Sequence, residues 1–370
     1  MVALVVILLG PRANANEARS RIWGGVWQGT VGTLPVRACL TRRYDGAGAG
    51  LYFYSSRLQL IALEQQGSSK AWREGAGSAK ASPRPTWQFA AVARGVLTGT
   101  WIDGIRQLPF RLTRLASESD EPCGSLAFNT PRLKPLTVTR TRATLDGVAY
   151  TRLFFDPGRA LRDDVKLETF ALKGVDLETS RINVRLFEPF AKKPADNRWW
   201  DCIAGGLASP GMGGNYEQTI TPTLISPRWL AATMATGYYC GGAHPDGETI
   251  SLVFDRATGA AVDLNGWLNA AALEPRPDID KSSFALKPAL RRLAMAQDRE
   301  MEADCRAPVA EAQFWDIGLT RAGLAFTPGL PHVLAPCANA MIVPWTALAP
   351  YLGRAGRAGR ASLSAAHPLH

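Results

Sequence analysis

The chain has 370 residues, with 42 lysines and arginines against 32 aspartates and glutamates, a formal net charge of +10 and 46% apolar residues. That length exceeds what one core comfortably holds, so two domains of ordinary globular composition are expected. The positive balance suits anionic partners such as nucleic acid, phospholipid or acidic wall polymer. The arginines are scattered, however, with no basic arm and no nucleic-acid-binding motif, so no nucleic-acid partner is expected.

At the start, the apolar run Met1 to Leu9 is too short to span a bilayer, and the small residues Ala13 and Ala15 follow at the spacing that signal peptidase needs. Residues 1–15 therefore read as a signal peptide, although no lysine or arginine precedes the apolar run. No later stretch is long and apolar enough to cross a membrane, so a mature, soluble chain without a transmembrane segment is expected, periplasmic or secreted from a bacterium. The six cysteines, Cys39, Cys123, Cys202, Cys240, Cys305 and Cys337, lie far apart and never in C-x-x-C spacing. In an exported chain they read as disulfides rather than a zinc site. Six cysteines allow many connectivities. The simplest pairs each with its sequence neighbour.

Residues 16–120 alternate short β-type runs with turns, as in Leu51 to Tyr54 and Leu58 to Leu63. Gly29-Thr30 before Leu34-Pro35-Val36-Arg37 is echoed by Gly99-Thr100 before Leu108-Pro109-Phe110-Arg111, each a strand, a turn and a strand entered at proline. The pattern predicts a small antiparallel meander or half-barrel with Trp23, Trp27, Trp87 and Trp101 in its core. Residues 121–149 read as a connector. Past it, a helix is expected over Leu177 to Phe187, with Ile182 and Leu186 on one face and Pro189 as its stop. A second begins at Pro288, with Leu290, Leu293, Ala294, Met301 and Cys305 on one side. Asp316 to Phe326 reads as a hairpin, Ala340 to Trp345 as a strand, and Thr346 as the cap of a short helix. The tail, 353–370, with its Gly-Arg-Ala repeats, reads as disordered.

No nucleotide-binding glycine loop, nucleophile elbow or metal motif occurs, so no cofactor, metal or catalytic residue is expected. His244 stands out in Gly241-Gly242-Ala243-His244-Pro245-Asp246, because histidine titrates near neutrality and binds metals. With Asp246 and His332 it could form an open zinc site, though nothing in the spacing requires one. Carboxylate pairs such as Asp201 with Glu217 read as ordinary surface charge.

Tyr239-Cys240-Gly241-Gly242-Ala243-His244-Pro245-Asp246, followed by Asp255-Arg256-Ala257-Thr258-Gly259 and Val262-Asp263-Leu264, resembles the RsiV-type extracellular domain. That domain occurs in lysozyme-sensing anti-sigma factors and beside the catalytic domain of PdaC-type peptidoglycan deacetylases. Leu324 to Pro328, Pro331-His332 and Val343-Pro344-Trp345 extend the likeness, which covers 150–352. The resemblance implies an α+β fold in that region, behind the small antiparallel β domain. It also implies an envelope binding protein engaging a lysozyme-like hydrolase or peptidoglycan through Tyr239, His244, Asp246 and His332. The sigma-factor and deacetylase segments of the family have no counterpart in this chain. A metal-dependent envelope hydrolase using His244, Asp246 and His332 is the competing expectation.

Overall fold

The computed structural model describes residues 23–43, 46–67, 70–75, 84–116, 120–190, 193–208, 213–276 and 284–364. The expected signal peptide lies outside them.

The N-terminal module is a closed antiparallel barrel of eight strands: β1 (Gly25–Val31), β2 (Leu34–Arg42), β3 (Gly48–Tyr54), β4 (Ile61–Gln65), β5 (Ala71–Glu74), β6 (Thr86–Ala93), β7 (Val96–Asp103) and β8 (Arg106–Leu115). The half-barrel expectation fails at its open edge, because β1 pairs with β2 on one side and with β8 on the other, Val26 facing Leu115 and Val31 facing Phe110. Closure removes both unpaired edges. An eight-stranded barrel is narrow enough for side chains to fill, and here Trp27, Trp72, Trp87, Trp101, Phe89 and Phe110 do so. Trp72 was not among the expected core tryptophans, and Trp23 is only partly buried against them, edge-on to Trp72 at 4.9 Å. A carboxylate sits among the rings. Glu74 Oε1 accepts from Tyr52 Oη at 2.5 Å, Trp101 Nε1 at 2.6 Å and Trp87 Nε1 at 3.0 Å.

The outward side chains of the first strands, Val26, Cys39, Leu51 and Phe53, belong to a second core shared with the rest of the protein. Cys39 is bonded to Cys123, just before the short helix α1 (Leu126–Asn129), whose Phe128 packs on Phe53. Buried Arg132 donates to Asn129 Oδ1 and to the Ala160 carbonyl, and desolvation lowers its pKa to about 10.

Next come β9 (Thr137–Leu145), β10 (Val148–Asp156), β11 (Val165–Leu172), α2 (Leu177–Phe187), α3 (Arg198–Ala208), β12 (Asn215–Ile225), β13 (Trp229–Tyr239), β14 (Asp246–Asp255) and β15 (Ala260–Ala261). The strands form one seven-stranded sheet in the order β15-β14-β13-β12-β11-β10-β9. Residues 137–145, expected within a connector, are thus an edge strand. Their outward polar residues hide the pattern, but Asp146-Gly147, both at positive φ, make the tight turn into β10. Only β11 and β12 are parallel, which demands a long crossover. Helices α2 and α3 supply it and cover one sheet face. Helix α2 runs as the sequence predicts: Asp176 caps it by accepting from Thr179 N at 2.7 Å, and Ile182 and Leu186 are buried.

The other face carries the last part of the chain: β16 (Leu273–Pro275) paired with β17 (Phe284–Leu286), α4 (Pro288–Met295), α5 (Ala303–Glu311), and a three-stranded sheet of β18 (Phe314–Leu319), β19 (Gly323–Gly329) and β20 (Met341–Pro344). This half has its own core, including Trp229, Val253, Trp267, Phe326 and Trp345. The single helix expected from Pro288 to Cys305 is broken in two. Asp298 Oδ1 accepts from Glu300 N, a local bond that competes with helix continuation. Cys305 still reaches the core and bonds Cys337, as Cys202 bonds Cys240. Neighbour pairing therefore holds for all three bridges, which fits an oxidising, extracellular setting.

Helix α6 (Trp345–Leu348) starts after Pro344, so Thr346 is inside it and is not its cap. The tail holds the last correction. Residues Arg354–Ser364 form helix α7 rather than a disordered segment. Glycine at every third position makes a stripe along it, and a Cβ at Gly359 would collide with the Trp267 indole, so only glycine permits this approach. Trp229 Nε1 donates to Gly359 O at 3.2 Å and to Ser362 Oγ at 2.7 Å, fastening the helix down. Among the described residues no helix is long and apolar enough to cross a membrane.

Candidate functional site

Strand β13 ends at Tyr239, and the next residue, Cys240, is fixed to α3 by its disulfide. Gly241 then turns the chain at φ +86°, where a Cβ would lie 2.9 Å from Gly206 Cα. The turn needs glycine on both counts. Tyr239 Oη donates to the Gly242 carbonyl at 3.0 Å, closing the loop on itself. The chain re-enters the sheet at Asp246, opposite Tyr238, whose hydroxyl is 3.4 Å from Asp246 Oδ2. His244 stands exposed on this loop.

His332 arrives from the far half, at the start of a short 3-10 turn (His332–Cys337) anchored by the Cys305–Cys337 bridge. Its ring stacks on that of His244 with centroids 4.7 Å apart and planes 3° from parallel, and its Nδ1 lies 3.4 Å from Asp246 Oδ1. The fold thus brings His332 from the far half onto His244 and Asp246, which already stand two positions apart on one loop. Tyr239 shapes the loop but does not join them.

These rings do not converge on a common point. The nitrogen lone pairs of an imidazole lie in its plane, so two parallel stacked rings direct them along separate planes, unlike the ligands of a tetrahedral metal. Among the described residues no group of three or more histidines, cysteines or carboxylates is arranged to hold a metal ion.

Beside the histidine pair a cleft of about 820 Å³ runs between β12–β14 and the β18–β19 hairpin. Asp246 and His332 line it, whereas His244 and Tyr239 do not. Its other charged walls are Glu217, Glu248 and Asp316, and among the described residues no lysine or arginine lines it. At its edge Glu217 meets Lys166 at 2.6 Å and Glu248 meets Arg198 at 3.9 Å. Asp316 accepts from Ser251 N through both oxygens, at 3.0 and 3.1 Å. Phe284, Phe314 and Trp315 add aromatic surface, with Phe314 48% exposed. A basic protein thus carries an acidic, aromatic cleft.

Sequence reasoning missed most of these residues. Glu217, read as ordinary surface charge, points into the cleft from the face of β12 opposite Tyr216 and Gln218. The alternation of Tyr216, Glu217, Gln218 and Thr219 carried that signal. Phe314 and Trp315, two aromatics opening a strand, were the second available clue.

No protein-family model matches the chain, and no curated protein does. Solved structures that resemble it include two DUF3298 family proteins. One is a DUF3298 family protein from Pseudomonas aeruginosa, at 13% identity and TM-score 0.37, matching 60% of this chain and 96% of that one. The other is a DUF3298 family member from Bacteroides fragilis, at 13% identity and TM-score 0.36, matching 61% and 95%. At such scores the likeness carries no argument about activity.

Proposed function

We propose that the protein is an exported cell-envelope binding protein without catalytic activity, whose cleft receives a cationic surface of a protein partner, of which a lysozyme-like hydrolase is the leading example. The observation that carries this reading is the charge of the cleft: among the described residues, four carboxylates and no lysine or arginine line it. Net charge alone argues otherwise, because a chain of +10 repels a basic partner at long range. Beyond a Debye length of about 8 Å in physiological salt that repulsion is screened, so the local acidic field decides the docking step. Exposed Phe314 and neighbouring Trp315 supply the rigid aromatic anchors that binding surfaces favour. Anionic wall polymer is disfavoured at the same place by like charge.

The alternative, a metal-dependent hydrolase using His244, Asp246 and His332, draws on their proximity, but the parallel rings do not support it. The two readings separate in a capture experiment. The oxidised protein is immobilised and exposed to a panel of lysozymes and to peptidoglycan fragments, in rising salt and with or without a chelator. Saturable capture of basic lysozymes, insensitive to chelator and weakened by salt, is the expected result. Silence towards the whole panel, or turnover of the fragments that stops with chelator, overturns the proposal.

A further inference from the structure

The last stretch of the chain differs in charge from everything before it. From residue 317 to residue 370 there is no aspartate, glutamate or lysine, and the arginines are Arg321, Arg354, Arg357 and Arg360. Arg321 is paired with Asp146 at 3.0 Å. The other three lie on α7 at a spacing of three, which sets them in one row along the helix, neighbours about 5–6 Å apart at Cβ.

The packing of α7 decides which way that row faces. Gly353, Gly356 and Gly359 all face Trp267, whose backbone or indole a Cβ at each would meet. The arginine row, one residue on, is turned about 100° from them. Arg354 and Arg357 are exposed and Arg360 is half-buried. Arg357 Nη1 donates to the Leu352 carbonyl at 2.5 Å and Arg360 Nη1 to the Trp345 carbonyl at 3.3 Å. Those bonds hold two guanidinium groups in place while using only part of each donor fork. Among the described residues none of the three takes part in an ion pair. Asp263, which caps the 3-10 turn (Leu264–Trp267) beneath α7, is occupied locally: its Oδ1 accepts from Asn265 N and Nδ2, both at 2.9 Å.

The row does nothing for the helix itself. Cations at i and i+3 repel, and Arg354 stands in the first turn, where the helix dipole disfavours positive charge. Nor does it mark a membrane-lying helix, because such helices bury large apolar side chains, whereas the remaining row here is exposed Ala355, Ala358 and Ala361. The row is also remote from the acidic cleft. Helix α7 is fastened to Trp229 at the start of β13, and Ala235, Thr236 and Gly237 line the cleft roughly 20 Å further along that strand.

We propose that α7 is a docking ridge for a linear phosphate-bearing polyanion, whose successive phosphate groups are taken by Arg354, Arg357 and Arg360. The guanidinium fork matches phosphate oxygens two at a time. Three forks in a row suit a repeating anion, and the many acceptor oxygens of a phosphate chain let adjacent forks share a group. The ridge is independent of the cleft and its partner.

The test titrates long-chain inorganic polyphosphate into the full oxidised protein by calorimetry, in rising salt. Removing positive charge anywhere weakens binding to a polyanion, so two triple variants are compared. One is Arg354→Gln, Arg357→Gln, Arg360→Gln; the other is Arg140→Gln, Arg142→Gln, Arg299→Gln, at exposed arginines elsewhere. Each lowers the formal charge of +10 by three. Wild type is expected to bind saturably. The α7 variant is expected to lose about tenfold or more and to show a log–log salt slope shallower by about 2, at roughly 0.7 per phosphate contact. The other variant is expected to lose less. As the α7 substitutions also remove bonds to Leu352 and Trp345, a second readout uses wild type alone. Polyphosphate is expected to shield Arg354, Arg357 and Arg360 from an arginine-specific dicarbonyl reagent and to leave Arg140 and Arg142 reactive. Absence of saturation, equal losses in the two variants, absence of that shielding, or binding to phosphatidylglycerol vesicles in place of polyphosphate each overturns the proposal.

Discussion

Replacing Glu74 tests whether one carboxylate organises the barrel interior. Its Oε1 takes hydrogen bonds from Tyr52, Trp87 and Trp101, and Tyr52 and Trp87 are each only 1% exposed. Glu74→Ala orphans all three donors. A buried donor left without a partner costs about 1–3 kcal/mol, so the simple sum runs to about 9 kcal/mol. Water entering the space left by the carboxylate recovers part of that, and we expect a net loss of about 3–5 kcal/mol. Glu74→Gln keeps a carbonyl oxygen in place and loses only the charge assistance, about 1–2 kcal/mol. Urea unfolding followed by tryptophan fluorescence reads the barrel, through Trp27, Trp72, Trp87 and Trp101 in its core, together with the other cores, through residues such as Trp199, Trp229 and Trp267. Far-ultraviolet circular dichroism, followed in parallel, shows whether barrel and sheet unfold together. A loss below about 1 kcal/mol for Glu74→Ala would refute the reasoning, because no unsatisfied buried donor is that cheap three times over.

Three further outcomes are expected. Removing the Cys39–Cys123 bridge as a double alanine variant, with its sequence separation of 84, should cost about 4–5 kcal/mol by the loop-entropy relation, read as a lower urea midpoint of the barrel transition. Gly359→Leu should push α7 off Trp267, cost about 1–3 kcal/mol of overpacking and make residues 354–364 the first site of limited proteolysis. Alkaline pH should destabilise the barrel through Tyr52, whose pKa is raised by desolvation first and then by Glu74. The folded state holds the proton that the unfolded phenol releases at about pH 10, so this contribution is complete below that pH and is lost as pH rises beyond it. Thermal melts of wild type against Tyr52→Phe should show the steeper alkaline decline in wild type.

What could be read in the sequence is whatever is punctuated locally. Helix α2 announces itself by Ile182 and Leu186 on one face and Pro189 after it, and the β18–β19 hairpin by its turn residues. The disulfides follow the order of the cysteines along the chain, although the bridged residues lie 32 to 84 positions apart and only the fold brings them together. Barrel closure was not legible, as the β1–β8 pairing joins ends more than half a domain apart and leaves no local mark. In α7 composition misled: repeated Gly-Arg-Ala suggests a flexible tail, yet a period of three is also a glycine stripe, and its value depends on Trp267, which no local pattern reveals. The histidine pair was visible as candidates, but the cleft was not. Its carboxylates come from β12, β14 and β18, and only the packing of two sheets brings them to one wall.

The central claim is that the acidic cleft binds a cationic protein surface. Calorimetric titration of a basic lysozyme into wild type and into an Asp246→Asn, Glu248→Gln double variant tests it most directly, since both substitutions remove charge with little change of shape. The account predicts saturable binding to wild type and a loss of about tenfold or more in the variant. Equal affinity for the two proteins, or no binding to either, would contradict it.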